Sequence, residues 1–141
     1  MAQQTLPTVI PMLAYEDGPK AMDWLHKAFG LVEQARWVDD NGVLGHGEMS
    51  FGDGVIMMAT PTPDYESPRH HRETCAAAAK WSQVPYVIDG VMLYVPDVDA
   101  HCEQARAAGA TILAEPADSP HGRTYKAEDV EGHRWMFLQR A

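Results

Sequence analysis

The chain predicts an α+β fold of paired βαβββ modules, on three observations. A helix-like stretch opens at Asp17 and closes on Gly30, and a second opens at Asp97 and closes on Gly109. Each is preceded by an apolar strand-like run, and each gives way to a hydrophobic period of two. A length of 141 residues allows one good core and seldom two independent domains. The expectation is therefore one domain over 1–141: a first module at about 7–60, a linker at about 61–88 and a second module at about 89–140.

The elements follow in order. Residues 8–15, TVIPMLAY, read as a strand placed near an edge by Pro11, which has no N–H to give to a ladder. Pro19 suits the first turn of a helix whose Ala21, Met22, Leu25, Ala28 and Phe29 recur at three- and four-residue spacing until Gly30. LVEQARWVDD then runs into Asn41-Gly42, a preferred tight-turn dipeptide, and VLGHGEMSF returns as its hairpin partner. Gly52-Asp53-Gly54 gives another turn and VIMMAT another strand.

Residues 60–88 interrupt this order, from TPTPDYESP to KWSQVPYVIDG. Ser67-Pro68 reads as a cap and first turn, and RETCAAAAKW has helix-forming composition, so one short helix is expected there. The second module repeats the first: VMLYV as strand, VDAHCEQARAAG as helix and ATILAEP as strand. A loop PADSPHG, a strand RTYKAEDV, a turn at Glu131-Gly132 and a strand HRWMFLQ complete it. The strands form two highly curved sheets, or one sheet continued through both halves, with the helices outside.

Composition narrows the function classes. Twenty acidic residues against 11 basic give a formal charge of −9, which opposes binding to nucleic acid or an anionic membrane. Cys75 and Cys102 are too few and scattered for a disulfide framework, which suggests a reducing compartment. MAQQTLPTVIPML lacks the basic start and apolar core of a leader, and no run reaches transmembrane length, so a cytoplasmic protein is expected. GxSxG, HExxH and a phosphate-binding glycine loop are all missing from the sequence, and Cys102 gains no activation from its neighbour His101.

Three segments, IPMLAYEDGPKAMDWLHKAFG, VMLYVPDVDAHCEQARAAGA and EDVEGHRWMFL, resemble the vicinal oxygen chelate superfamily, which includes glyoxalase I, extradiol dioxygenases and bleomycin resistance proteins. The last looks like the family's D-P-x-G-x-x-x-E strand turn. The resemblance covers nearly the whole chain outside the linker. It implies strands curled around a cleft, often completed by dimerisation, so a homodimer is expected. It also implies metal ligands at four positions in the metalloenzymes. Those positions fall on Ile10, on Met57 (or Met58), on Gly90 and on Met136, none of which offers a carboxylate, imidazole or thiolate.

Ligand-contacting candidates are accordingly apolar: Ile10, Met12, Met57, Met92 and Met136. Strand alternation adds Tyr94, Arg134 and Leu138 to the same surface, and Tyr125 with Arg134 is a candidate pair to orient a carboxylate or carbonyl. Trp135, of opposite parity to Met136, is expected against a helix, and Trp24 and Trp81 are expected as packing anchors. The resulting reading is metal-independent binding of a small hydrophobic or aromatic molecule, as in antibiotic-sequestering proteins. The alternatives are a lyase, isomerase or dioxygenase with a divalent metal relocated to His46 and Glu48, a cofactor-free enzyme using Arg134 and Tyr125, or a dimerising partner domain.

Overall fold

The computed structural model describes residues 6–140. The stretch read above as lacking a leader lies partly outside them, at 1–5. The chain forms two compact units. One comprises the residues up to His26 and Gly30–Tyr65; the other comprises Lys27–Phe29 and everything from Glu66 onward. Each unit holds one four-stranded sheet, which decides between the two sheet arrangements left open by the sequence.

In the first unit β1 (Met12–Ala14) leads to α1 (Gly18–Phe29), then β2 (Val32–Val38), β3 (Leu44–Phe51) and β4 (Gly54–Ala59). Asp17 caps α1 by accepting from the Lys20 N–H, and Gly30 ends it in the left-handed conformation at φ 82°. The strand order is β1-β4-β3-β2, so the strand that follows Pro11 is an edge strand, as expected. β1 runs parallel to β4, and the other pairings are antiparallel. α1 packs on the face bearing Leu13, Met58, Gly47 and Arg36. Met22 and Leu44 lie so near Gly47 that a Cβ there would have to displace them, and Arg36 reaches Asp23 of the helix at 2.6 Å.

The second unit repeats this with β5 (Gly90–Tyr94), α4 (Val98–Ala107), β6 (Thr111–Ser119), β7 (Gly122–Glu128) and β8 (Arg134–Arg140), in the order β5-β8-β7-β6. Asp97 caps α4 as Asp17 caps α1. Val98, Cys102 and Ala105 bury one stripe of the helix against the face that carries Tyr125, Trp135 and Phe137. Phe29, grouped with this unit, joins that cluster at 4.7 Å from Phe137 and 5.3 Å from Trp135. Trp135 is thus on the helix side, as its parity predicts.

The corresponding hairpins turn alike. Asp39 and Asp129 each accept from the N–H groups two and four residues later, and Gly42 and Gly132 follow at φ 82° and 91°. No other residue type has positive φ among those described, so Asn41 is not in the two-residue primed turn that Asn-Gly suggests. Each loop is a type I turn closed by a left-handed glycine.

Three further expectations are corrected. The linker holds two short helices rather than one, α2 (Pro68–Thr74) and α3 (Ala76–Trp81), separated where Cys75 takes an extended conformation. PADSPHG is not a loop: β6 continues to Ser119 and absorbs Pro116 within a register shift between Ala114 and Ala117. Trp81 is mostly exposed and anchors nothing. Among the described residues, no helix is long and apolar enough to cross a membrane.

Candidate functional site

Away from α1, the first sheet presents a rung of four residues aligned through successive strand pairs: Met12, Met57, Glu48 and Ala35. Met12 is 81% exposed and Met57 is half-buried. Met58, the other candidate for the same position, is buried on the helix side, so Met57 is the residue on this face. His46 lies two residues from Glu48 and donates through Nε2–H to Glu48 Oε1 at 2.8 Å. Trp37, opposite His46 in register, is 69% exposed with its ring 5.0 Å from the imidazole. Ile10 is half-buried and precedes β1.

The second sheet, away from α4, presents the same rung: Met92, Met136, Lys126 and Ala114. Met12 and Met92 each stand five residues before a helix-capping aspartate, and each pairs with a methionine on the last strand of its sheet. The third place differs in sign, Glu48 in one sheet and Lys126 in the other. Tyr94 pairs with Leu138 on the adjacent rung, and the Arg140 guanidinium lies 3.9 Å above the Tyr94 ring. Trp37, Lys126 and Arg140 escaped the sequence reading because only strand register places them on the same sheet faces as the methionines.

Tyr125 and Arg134 do not form the pair expected of them. Register sets Tyr125 opposite Phe137 and Glu128 opposite Arg134, so the two side chains leave opposite faces of the sheet. Arg134 shares a face with Met136 but is only 9% exposed. Its guanidinium donates to the carbonyls of Ser82, Val84 and Tyr86 and to Glu128, which Arg72 also grips with two hydrogen bonds at 2.9 and 3.0 Å. It ties the segment after α3 to the sheet.

Tyr125 is wholly buried on the α4 side, 2.6 Å from His101 Nδ1. His101 Nε2 faces the Phe29 carbonyl at 2.8 Å, and a carbonyl only accepts, so Nε2 carries the proton and Nδ1 accepts from the Tyr125 hydroxyl. Burial lowers the His101 pKa despite the carbonyl, and burial raises that of Tyr125. Burial also pushes the Cys102 thiol up to about 11, with Glu115 adding to the shift, so it stays protonated and is no nucleophile at neutral pH.

A pH dependence follows from His101. The unfolded chain takes up a proton near 6.5 that the folded chain, with its lowered pKa, does not. The associated stability is complete above that value and is lost as pH falls from 6.5 towards the lowered pKa. Urea midpoints at pH 7.5 and 5.5 should separate more in the native protein than in His101→Gln; equal separation would contradict this assignment.

The four positions implied as metal ligands do not fit a hard or borderline divalent cation. Met57 and Met136 offer thioethers, Ile10 offers nothing, and a Cβ at Gly90 would collide with the Arg134 carbonyl. Among the described residues no three His, Cys, Asp or Glu side chains gather into a metal-holding group, and this includes His46 and Glu48.

Residues 8–137 match the Glyoxalase/Bleomycin resistance protein/Dioxygenase superfamily. TioX from Micromonospora sp. ML1 is similar in structure at TM-score 0.68 and 31% identity, with 96% of this chain and 97% of that one covered. TnmS3, an antibiotic binding protein from Streptomyces sp. CB03234, shares the fold at TM-score 0.66 and 18% identity, covering 100% and 99%. The uncharacterized protein Rv0887c of Mycobacterium tuberculosis (strain ATCC 25618 / H37Rv) is 29% identical over 99% of this chain and 78% of its own length. With its repeated β-α-β-β-β order, its paired glycine-closed turns and this match over most of its length, the chain belongs to the glyoxalase/bleomycin resistance protein/dioxygenase superfamily.

Proposed function

We propose that this chain binds a small, flat, apolar or aromatic molecule on the methionine-bearing sheet faces turned away from α1 and α4, uses no metal to do so, and sequesters its ligand rather than transforming it. The duplicated methionine rung carries the reading: both sheets set two thioethers side by side at equivalent places on the face opposite the long helix of their own module. Methionine is pliable and polarizable, so such a floor adapts to flat ligands of varied outline. Met12, Met57, Met92, Tyr94 and Met136 are the contacts proposed, with Trp37 added on the first sheet and Ile10 at its margin. TnmS3, which shares the fold, is an antibiotic binding protein, in keeping with a small-molecule ligand. The protein acts as a homodimer in the cytoplasm, where a second copy would cover part of the exposed methionine and tryptophan surface.

Phenazine, planar and uncharged, tests the reading. Protein dialysed against a chelator is expected to bind it saturably with a Kd at or below about 0.1 mM, and to release it chemically unchanged. Conversion of the compound, or binding only after a divalent metal is restored, would contradict the proposal.

One contact favours a second reading. The His46–Glu48 hydrogen bond is an imidazole–carboxylate pair on the same face as Met57, suited to moving a proton. An isomerase or lyase activity lost in His46→Ala and in Glu48→Ala, with phenazine binding retained, would establish that role.

A further inference from the structure

We infer that the α4-free face of the second sheet ends in a carboxylate-recognition site, so that its ligand is a planar aromatic acid. This rests on the ligand-binding reading above and narrows it to an anion. The sequence suggested Tyr125 and Arg134 for such a role, yet one lies on the other face and the other is spent on backbone carbonyls. Arg140 and Lys126 stand where those residues do not.

Arg140 is the cation at the end of β8, stacked on the Tyr94 ring. A guanidinium over an aromatic face can still present N–H groups to a carboxylate, which it grips with two parallel hydrogen bonds. The chain has nearly twice as many acids as bases, and Arg36, Arg72, Arg106, Arg123 and Arg134 all hold carboxylates. Among the described residues, neither Arg140 nor Lys126 has an acidic partner, although both are accessible. Two uncommitted cations on one sheet face of an acidic protein are a surplus that an anionic ligand would use.

The surroundings suit an aromatic body. Arg140 and Tyr94 line an open cavity of about 360 Å³ with Val95, Pro96 and Gln139, within the range of small-molecule sites. From there the Tyr94–Leu138 rung leads to the Met92–Met136 rung, about 13 Å along β8 from Arg140, so a fused-ring plane can lie on the thioethers with its acid at Arg140. Lys126, beside Met136, adds positive charge along that path. Thr124, opposite Leu138, has a buried hydroxyl with no hydrogen-bond partner among the described residues, a further donor beneath the path. In the first sheet the place equivalent to Lys126 is Glu48, so the preference for an anion belongs to the second sheet alone.

Phenazine-1-carboxylate and phenazine-1-carboxamide share a shape and differ in charge at pH 7.5. Calorimetric titration of the full chain is expected to give about tenfold tighter binding of the carboxylate. Arg140→Gln should remove most of that preference by weakening the carboxylate more than the carboxamide, with an unchanged far-UV circular dichroism spectrum showing that the variant is folded. Lys126→Gln should remove a smaller part. Equal affinity for the two compounds, or a preference that survives both substitutions, would overturn this inference and leave the ligand reading standing. Failure of the native protein to bind either compound would overturn both.

Discussion

Glu128→Ala is expected to lower the unfolding free energy by about 3–5 kcal/mol, the usual result of removing one partner of a buried ion pair. Glu128 is 2% exposed, and its carboxylate is shared by Arg134 and Arg72. Without it Arg134 keeps its three carbonyl acceptors but loses the one acidic partner it has among the described residues. The segment from Ser82 to Tyr86 and helix α2 would loosen together, since both attach to the sheet through this cluster. Glu115→Ala is the control: its partner Arg106 is surface-exposed, so the loss should be much smaller. Urea unfolding of the two variants against the native chain decides the matter, and a Glu128→Ala loss no larger than the control would refute it.

The paired turns give the second large effect. Asp129 is fully buried: one oxygen accepts from the Glu131 and His133 N–H groups and the other from Trp135 Nε1 at 3.0 Å. Asp129→Ala would remove the acceptor of three donors, two of them buried, and should cost about 3–5 kcal/mol. Asp39 makes the equivalent two backbone bonds in solvent, so Asp39→Ala should cost about 1 kcal/mol or less. Thermal unfolding of both variants compares one local motif in two environments; equal losses would mean that burial of Asp129 adds nothing.

Local signals explain which parts of the fold could be read directly. Asp17 and Asp97 cap helices because a short carboxylate reaches back to the first-turn N–H groups, and that chemistry needs no tertiary contact. Pro116 misled because proline usually ends a strand, whereas here it sits in a register shift where no ladder N–H is missed. Cys75 divides the linker helix with no breaker in the sequence to announce it.

Met92 and Met136 share a sheet face, as strand alternation implies, because side chains two apart on a strand leave the same side. Tyr125 was misplaced because its face depends on how β7 and β8 align, which the turn from Asp129 to His133 sets by pairing Glu128 with Arg134. The fate of Arg134 was hidden altogether, since its acceptors lie some fifty residues earlier in a segment with no regular pattern. Lys126 entered the methionine rung by register alone.

Methyl NMR reads metal-free ligand binding at the methionine side chains themselves. In chelator-treated protein carrying ¹³C-methyl methionine, titration with phenazine should shift the Met57 and Met136 signals along one saturable curve, leave buried Met49 unmoved, and give the same curve after zinc or manganese is added. Methyl signals that stay fixed, or that move only once a metal is present, would rule out metal-free binding on the methionine faces.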